Sequence, residues 1–302
     1  EIDRLAGFNM WAAHRDRLKE SDEWLYSIGG SMLYQESVTS KPHGHNVTKT
    51  VVIPMSRLVG FFDVDKLCPS VLCSGLRIEL LLDNIRSAIM TATTSNACSY
   101  TISNARIRAD TYLLNDAALH ELNKQSAHNS LEWVYKPSFR VSQTAAVGQY
   151  DIQMSKAVSR GLDCYAFTRL SSVINNELVD SMSSEQWPVT AFQFRAGSMY
   201  FPHKMIESME ESYVNLLYTA AKLEHRTHPT SMSLAEFSAG QWMISATLES
   251  SNLLNYSGIS LNNSRTLAMS FTTSSSTNRE VNMYLTYLQV AKSYLNNTLI
   301  QS

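Results

Sequence analysis

Charge is what this sequence has least of. Only 17% of its 302 residues are Asp, Glu, Lys or Arg, against roughly a quarter in an ordinary soluble domain. The 25 basic and 27 acidic side chains leave a net charge of −2. A near-neutral chain with no Lys/Arg cluster lacks the basic face that grips a phosphate backbone, so no specific nucleic acid is expected as a partner. Cysteine is also scarce: Cys68, Cys73, Cys98 and Cys164 are too few for a disulfide scaffold, and Cys68-x4-Cys73 has the wrong spacing for a zinc knuckle. Cys68 and Cys73 lie in an apolar stretch and read as buried free thiols, made in a reducing compartment. No apolar run approaches the ~20 residues of a membrane-spanning helix. The opening EIDRLAGF has the form of neither a signal peptide nor a transit peptide, and its lack of a methionine suggests a processed chain or a piece of a longer one.

Catalytic signatures are missing as well. There is no G-x-x-x-x-G-K-[ST], no G-x-G-x-x-G after a strand and no G-x-S-x-G. His120-Glu121 begins like a zinc-protease helix, but position 124 is Lys and the second imidazole is absent. His43-x-His45 and His225-x2-His228 have no acidic or thiol partner nearby and read as exposed loop histidines. Asp63-x-Asp65 lacks the further oxygens of a calcium loop and reads as a solvated turn. Sequons at Asn46, Asn255, Asn262 and Asn296 are expected by chance in a chain this rich in Asn, Ser and Thr. No catalytic, cofactor-binding or metal-ligating residue is assigned, and no cofactor is expected.

What is present is a β-rich texture whose polar surface comes from Ser, Thr and Asn. Phe192 and Phe194 alternate with Gln193 and Arg195. Trp242, Ile244, Ala246 and Leu248 alternate with Met243, Ser245, Thr247 and Glu249, which predicts a half-buried strand. From Tyr100 to Leu113 the apolar phase switches from even to odd, which requires a bulge near Ser103–Ala105 if this is one strand. Strands are also expected over 265–271 and 281–290, flanking a polar loop at 272–279. Helices are expected over 1–30, stopped by Gly29-Gly30, over 117–125 behind Asn115-Asp116, and over about 204–223 behind Pro202. The length suits one large domain or two small ones.

One stretch is more specific. Ile53-Pro54-Met55 leads to Gly60-Phe61-Phe62, then to Leu67-Cys68-Pro69-Ser70-Val71-Leu72 and Leu76-Arg77-Ile78-Glu79-Leu80. This reads as a strand ending at Pro54, an apolar loop needing cover, with a tight turn at Gly75, and a second strand. The run resembles the segment that closes the first roll in double jelly-roll major capsid proteins of the large and polinton-like double-stranded DNA viruses. Asn104 to Leu114 with the helix Asn115–Gln125 is similar to the family's strand and helix at the start of the second roll. Tyr256-Ser257-Gly258, Asn263-Ser264-Arg265-Thr266-Leu267 and Val281–Tyr294 resemble its closing strands. Met55-Ser56-Arg57 departs from the family's aromatic context.

The resemblance implies an all-β viral jelly-roll sandwich with a few inserted helices. Two eight-stranded rolls need well over 400 residues, so this chain is expected to hold the end of a first roll and its connecting segment (1–97) plus a complete second roll (98–302). It further implies a non-enzymatic shell protein of the virion, made in the host cell. Its partners are then itself, as a homotrimer, with neighbouring capsomers and minor capsid proteins; whether an internal membrane lies beneath the shell is left open. Two other readings stand beside it. One is a single jelly-roll protein, either a capsid or penton subunit or a carbohydrate-binding module, which would show a compact aromatic platform; Trp133, Trp187 and Trp242 are spread through the sequence and do not decide the point. The other is an enzyme whose two carboxylates meet only in the fold.

Overall fold

Eight strands between Ser138 and Tyr287 build two four-stranded antiparallel sheets in the computed structural model, which describes residues 4–32, 48–64, 77–88, 99–128, 131–146, 148–221, 223, 230–249, 258–262, 265–274, 277–294 and 297–301. They are β2 (Ser138–Ala145), β3 (Gly148–Met154), β4 (Gly161–Leu170), β5 (Val189–Ala196), β6 (Met199–Ile206), β7 (Ile244–Thr247), β8 (Leu267–Thr273) and β9 (Arg279–Tyr287). One sheet has the order β2-β9-β4-β7 and the other β3-β8-β5-β6. Lettered B to I along the chain, these are B-I-D-G and C-H-E-F, the defining order of a jelly roll. Every connection except the β5–β6 hairpin crosses from one sheet to the other.

The registers show which side chains share a face, because directly opposed residues point the same way. In the first sheet Cys164, Ala166, Ile244, Val281, Met283 and Leu285 point inward; in the second, Ile152, Met154, Phe192, Phe194, Met269 and Phe271 do. All belong to one buried cluster between the sheets. Burying a side chain of this size stabilises the fold by about 1.5–3 kcal/mol.

Beyond Pro137 and Leu288 the β2–β9 ladder continues as a smaller sheet, in the order β1-β10-β11, from β1 (Leu131–Tyr135), β10 (Gln289–Tyr294) and β11 (Asn297–Gln301). Trp133, Tyr135 and Ala291 there form a second core with Phe61. Gly60 brings Phe61 in: a Cβ at this position would stand 2.7 Å from the Lys136 carbonyl oxygen.

Four longer helices decorate the roll: α1 (Phe8–Lys19), α2 (Asp116–His128), α3 (Met209–Thr219) and α4 (Leu234–Ala239). Asn115 caps α2, its side chain accepting from the Ala118 amide at 2.8 Å. Ser208 caps α3 by accepting from the Glu211 amide at 3.1 Å, with Glu210 and Glu211 in the positive first turn. Ser233 and Glu236 form a capping box on α4.

Several local expectations change. The first helix ends at Lys19, and a short turn at Asp22–Trp24 and a wide turn at Leu25–Gly29 replace its last ten residues. The helix expected from about 204 starts at Met209, because Met199–Ile206 is taken up as an edge strand on β5; Pro202, with no N–H to give, is tolerated at an edge. The described parts of the strands expected around Ile53, Leu80 and Tyr100–Leu113 are irregular, and among the described residues before Leu131 there is no strand. A strand forms only against a partner ladder, and the described residues offer these segments none. Gly75, Cys68, Cys73 and Cys98 lie outside the described residues.

Candidate functional site

Among the described residues the near-miss motifs assemble nothing. His120 and Glu121 are exposed on α2, and Glu121 is 3.9 Å from Lys124, the residue that replaces the second imidazole. Asp63 is exposed; Asp65, His43, His45, His225 and His228 lie outside the described residues, as do Asn46, Asn255 and Asn296. Asn262 is half-buried in the loop before β8. Among the described residues no group of His, Cys, Asp and Glu could hold a metal ion. Cys164 is a buried free thiol, and burial pushes its pKa well up.

The fold does bring one carboxylate pair into electrostatic contact, Asp163 and Glu249. Burial raises the Asp163 pKa to about 6, Glu249 adds to the rise, and Lys19 of α1 opposes it. Nor do the tryptophans form a platform. Trp242 is fully buried, Trp133 is buried in the second core, and Trp187 packs edge-on against Trp242 at 5.8 Å.

The strongest polar construction lies at the end of the roll that carries the β4–β5 loop, residues 171–188. Arg279, with no exposed surface, donates from Nε and Nη2 to the two carboxylate oxygens of Glu185 at 2.8 and 3.1 Å. Its Nη1 donates to Thr273 Oγ1 at 2.6 Å. The next residue of β9, on the other face of the sheet, is Glu280, which accepts from Arg169 at 2.5 Å and from Arg140 at 2.9 Å. Arg169 reaches back to the Ser181 carbonyl at 3.0 Å. Burial alone would raise the Glu280 pKa, but Arg169 and a hydrogen bond from Ser142 outweigh it and hold the carboxylate below its usual value. Bidentate Arg–carboxylate pairs of this kind are directional as well as strong, so they fix a long loop against the sheet ends. Ser181 Oγ then donates to the Ser87 carbonyl at 2.7 Å and docks the short helix Ile85–Ala88 on this loop. Sequence reasoning missed this construction: Arg279 and Glu185 are 94 positions apart, and the only signal was a few Arg and Glu placed in strand candidates of a charge-poor chain.

A second feature is apolar surface. Leu80, Leu81 and Leu82 in the irregular segment 77–84, and Ile102, Ile107 and Leu113 in 99–114, are all exposed. Scattered exposed leucines are ordinary, but a contiguous series of them marks a surface meant to be covered.

No family model matches this sequence, and no curated protein matches it. Solved structures do. The chain is similar to VP54 of PBCV-1, as fitted into a reconstruction of the virophage Sputnik, at 8% identity over 63% of this chain and 55% of that one, with a TM-score of 0.41. It is similar to the Faustovirus major capsid protein at 7% identity over 63% of this chain and 36% of that one, with a TM-score of 0.41. The major capsid protein P2 of bacteriophage PM2 matches at 7% identity over 54% and 47% of the two chains, with a TM-score of 0.31. The chain thus spans about half the length or less of these proteins. At such identities the likeness concerns the fold alone, and the fold is already defined by the B-I-D-G and C-H-E-F strand orders: it is an all-β jelly roll with inserted helices.

Proposed function

We propose that this chain is a structural, non-enzymatic subunit of an icosahedral virus shell, a major capsid protein that forms trimeric, pseudo-hexagonal capsomers. In this reading residues 1–97 contain the end of a first roll and its connection, and 98–302 contain the second roll. A jelly roll by itself does not specify a function. The observation that carries the reading is the pairing of a finished eight-stranded roll with exposed apolar segments, 77–84 and 99–114, that have no partner strands among the described residues. Strands of an adjoining roll would give those segments both a ladder and a cover. Three such double rolls close a ring through a cyclic, heterologous interface, and neighbouring capsomers and minor capsid proteins would then surround the ring in the virion.

A single-roll capsid or penton subunit shares the jelly roll but leaves the apolar segments unexplained. A carbohydrate-binding module needs surface aromatics, whereas Trp133 and Trp242 are core residues. Negative-stain images of the intact gene product test the proposal. Pseudo-hexagonal trimers are expected; isolated particles the size of one roll would contradict it.

A further inference from the structure

His14 lies in the middle of the buried face of α1, with no exposed surface. Its ring is 4.3 Å from that of Phe167 on β4. On the same face of α1, Trp11 stacks on Tyr284 of β9 at 5.0 Å and leans on Tyr165 of β4 at 5.1 Å. The helix therefore closes an aromatic layer on the outer side of the first sheet, and an ionisable ring is built into that layer. Among the described residues neither ring nitrogen completes a hydrogen bond, although the Met182 backbone lies close enough to act on the ring. Charged groups are present on α1 and the strands beneath it: Arg15, Asp16, Arg17 and Lys19 on the helix, Arg140 on β2, Asp163 and Arg169 on β4 and Glu280 on β9; of these Asp163, raised by burial to about 6 against the pull of Lys19, also titrates in mild acid. Tyr165 and Tyr284 are the titratable groups of the aromatic layer itself. Arg17, a like charge, acts on the imidazole most strongly, while the Met182 backbone pulls slightly the other way. Among the described residues no carboxylate acts on the ring.

The attachment of α1 is also separable from the roll. The sheet beneath it is held by its own ladders and by the core on its inner face. The helix is tied by side-chain packing and a few hydrogen bonds: Tyr284 Oη to the Gly7 carbonyl at 3.2 Å, and Thr230 and Ser231 hydroxyls to the Arg17 carbonyl at 3.1 and 2.7 Å. Arg57 adds an ion pair to Glu20 at 2.7 Å. We propose that α1 is an acid-released cover, in which protonation of His14 lifts the helix and bares Tyr165, Phe167 and Tyr284 while the roll stays folded.

The sign follows from burial. Desolvation, with Arg17 adding to it, lowers the His14 pKa from 6.5 to about 3 in the docked state. A lowered histidine pKa leaves docking at full strength above about pH 6.5 and weakens it as pH falls towards 3. At pH 5 His14 by itself should lower the docked-to-released ratio about 30-fold relative to neutral pH, from the difference between a free imidazole and the buried one, and protonation of Asp163, raised to about 6, offsets part of that drop.

Hydrogen exchange of the 302-residue chain at pH 7.5 and pH 5, corrected for intrinsic rates, tests this. Amides of 8–19 should lose several-fold and at most about 30-fold in protection at pH 5, with 161–170 and 279–287 unchanged. His14→Phe, which keeps the aromatic packing, should abolish the loss. Three results would overturn the proposal: equal protection of 8–19 at both pH values, equal loss in the strands, or full pH dependence in the variant. The first two are read on the unmodified chain and do not depend on the variant folding.

Discussion

The two sheets of the roll have similar inner faces and opposite outer ones. The outer face of β2-β9-β4-β7 carries Tyr165, Phe167, Tyr284 and Ser245, all buried, under α1 and α3. Ser245 Oγ donates to Thr219 of α3 at 3.1 Å, and Asn215 of α3 donates to the Ser245 carbonyl at 2.5 Å. The outer face of β3-β8-β5-β6 carries Gln149, Asp151, Gln153, Gln193, Arg195 and Ser270, none of them buried. One sheet is thus a middle layer and the other an outer wall. An antiparallel sheet can stand with one face in water, so only the aromatic outer face needs its helices.

The comparison explains what could be read from the sequence. Phe192 and Phe194 alternate with Gln193 and Arg195 because their strand is wet on one side, and alternation is the signal of that arrangement. The same alternation at Trp242–Leu248 promised a half-buried strand, yet Ser245 is fully buried and Met243 with it. The polar phase there faces a helix rather than water, and a helix supplied from residues 209–219 leaves no mark in the strand's own pattern. The turn between β8 and β9, shorter than the expected 272–279 because the strands reach Thr273 and Arg279, and the cap at Asn115 were legible because turn and cap chemistry is local. The Arg279–Glu185 clamp was not, because nothing local relates the first residue of a strand to a loop residue 94 positions away. The strands expected at Leu76–Leu80 and Tyr100–Leu113 differ for a related reason, their described parts being irregular: an apolar pattern states that a segment wants a partner, not that the partner is at hand.

Mutations on the two outer faces should therefore differ sharply. The largest effect is expected at Trp11, 2% exposed: Trp11→Ala should cost about 3–5 kcal/mol in urea unfolding, the usual loss for deleting a buried aromatic side chain. A loss below 1 kcal/mol would mean that α1 is a surface ornament and not a layer. Next is the covered face's polar rim. Because the Glu280 pKa is held below its usual value, its contribution is present above about pH 4.5 and fades as pH falls through the lowered value. Glu280→Gln should lower the melting temperature at neutral pH and flatten its decline in acid; an unchanged acid limb would place the titration elsewhere. The smallest effect belongs to the bare face. Asp151 is 3.4 Å from Arg195 in an exposed pair, and Asp151→Ala should change stability by less than about 1 kcal/mol. A larger loss would show that this face, too, is covered.

The proposed shell role requires three double rolls to close into a ring. Obligate interfaces of this kind bury more than about 2,000 Å², and such trimers do not dissociate at working concentrations. Light scattering from the intact gene product at micromolar concentration tests this most directly. A mass three times that of one chain is predicted, and a compact monomer would contradict it.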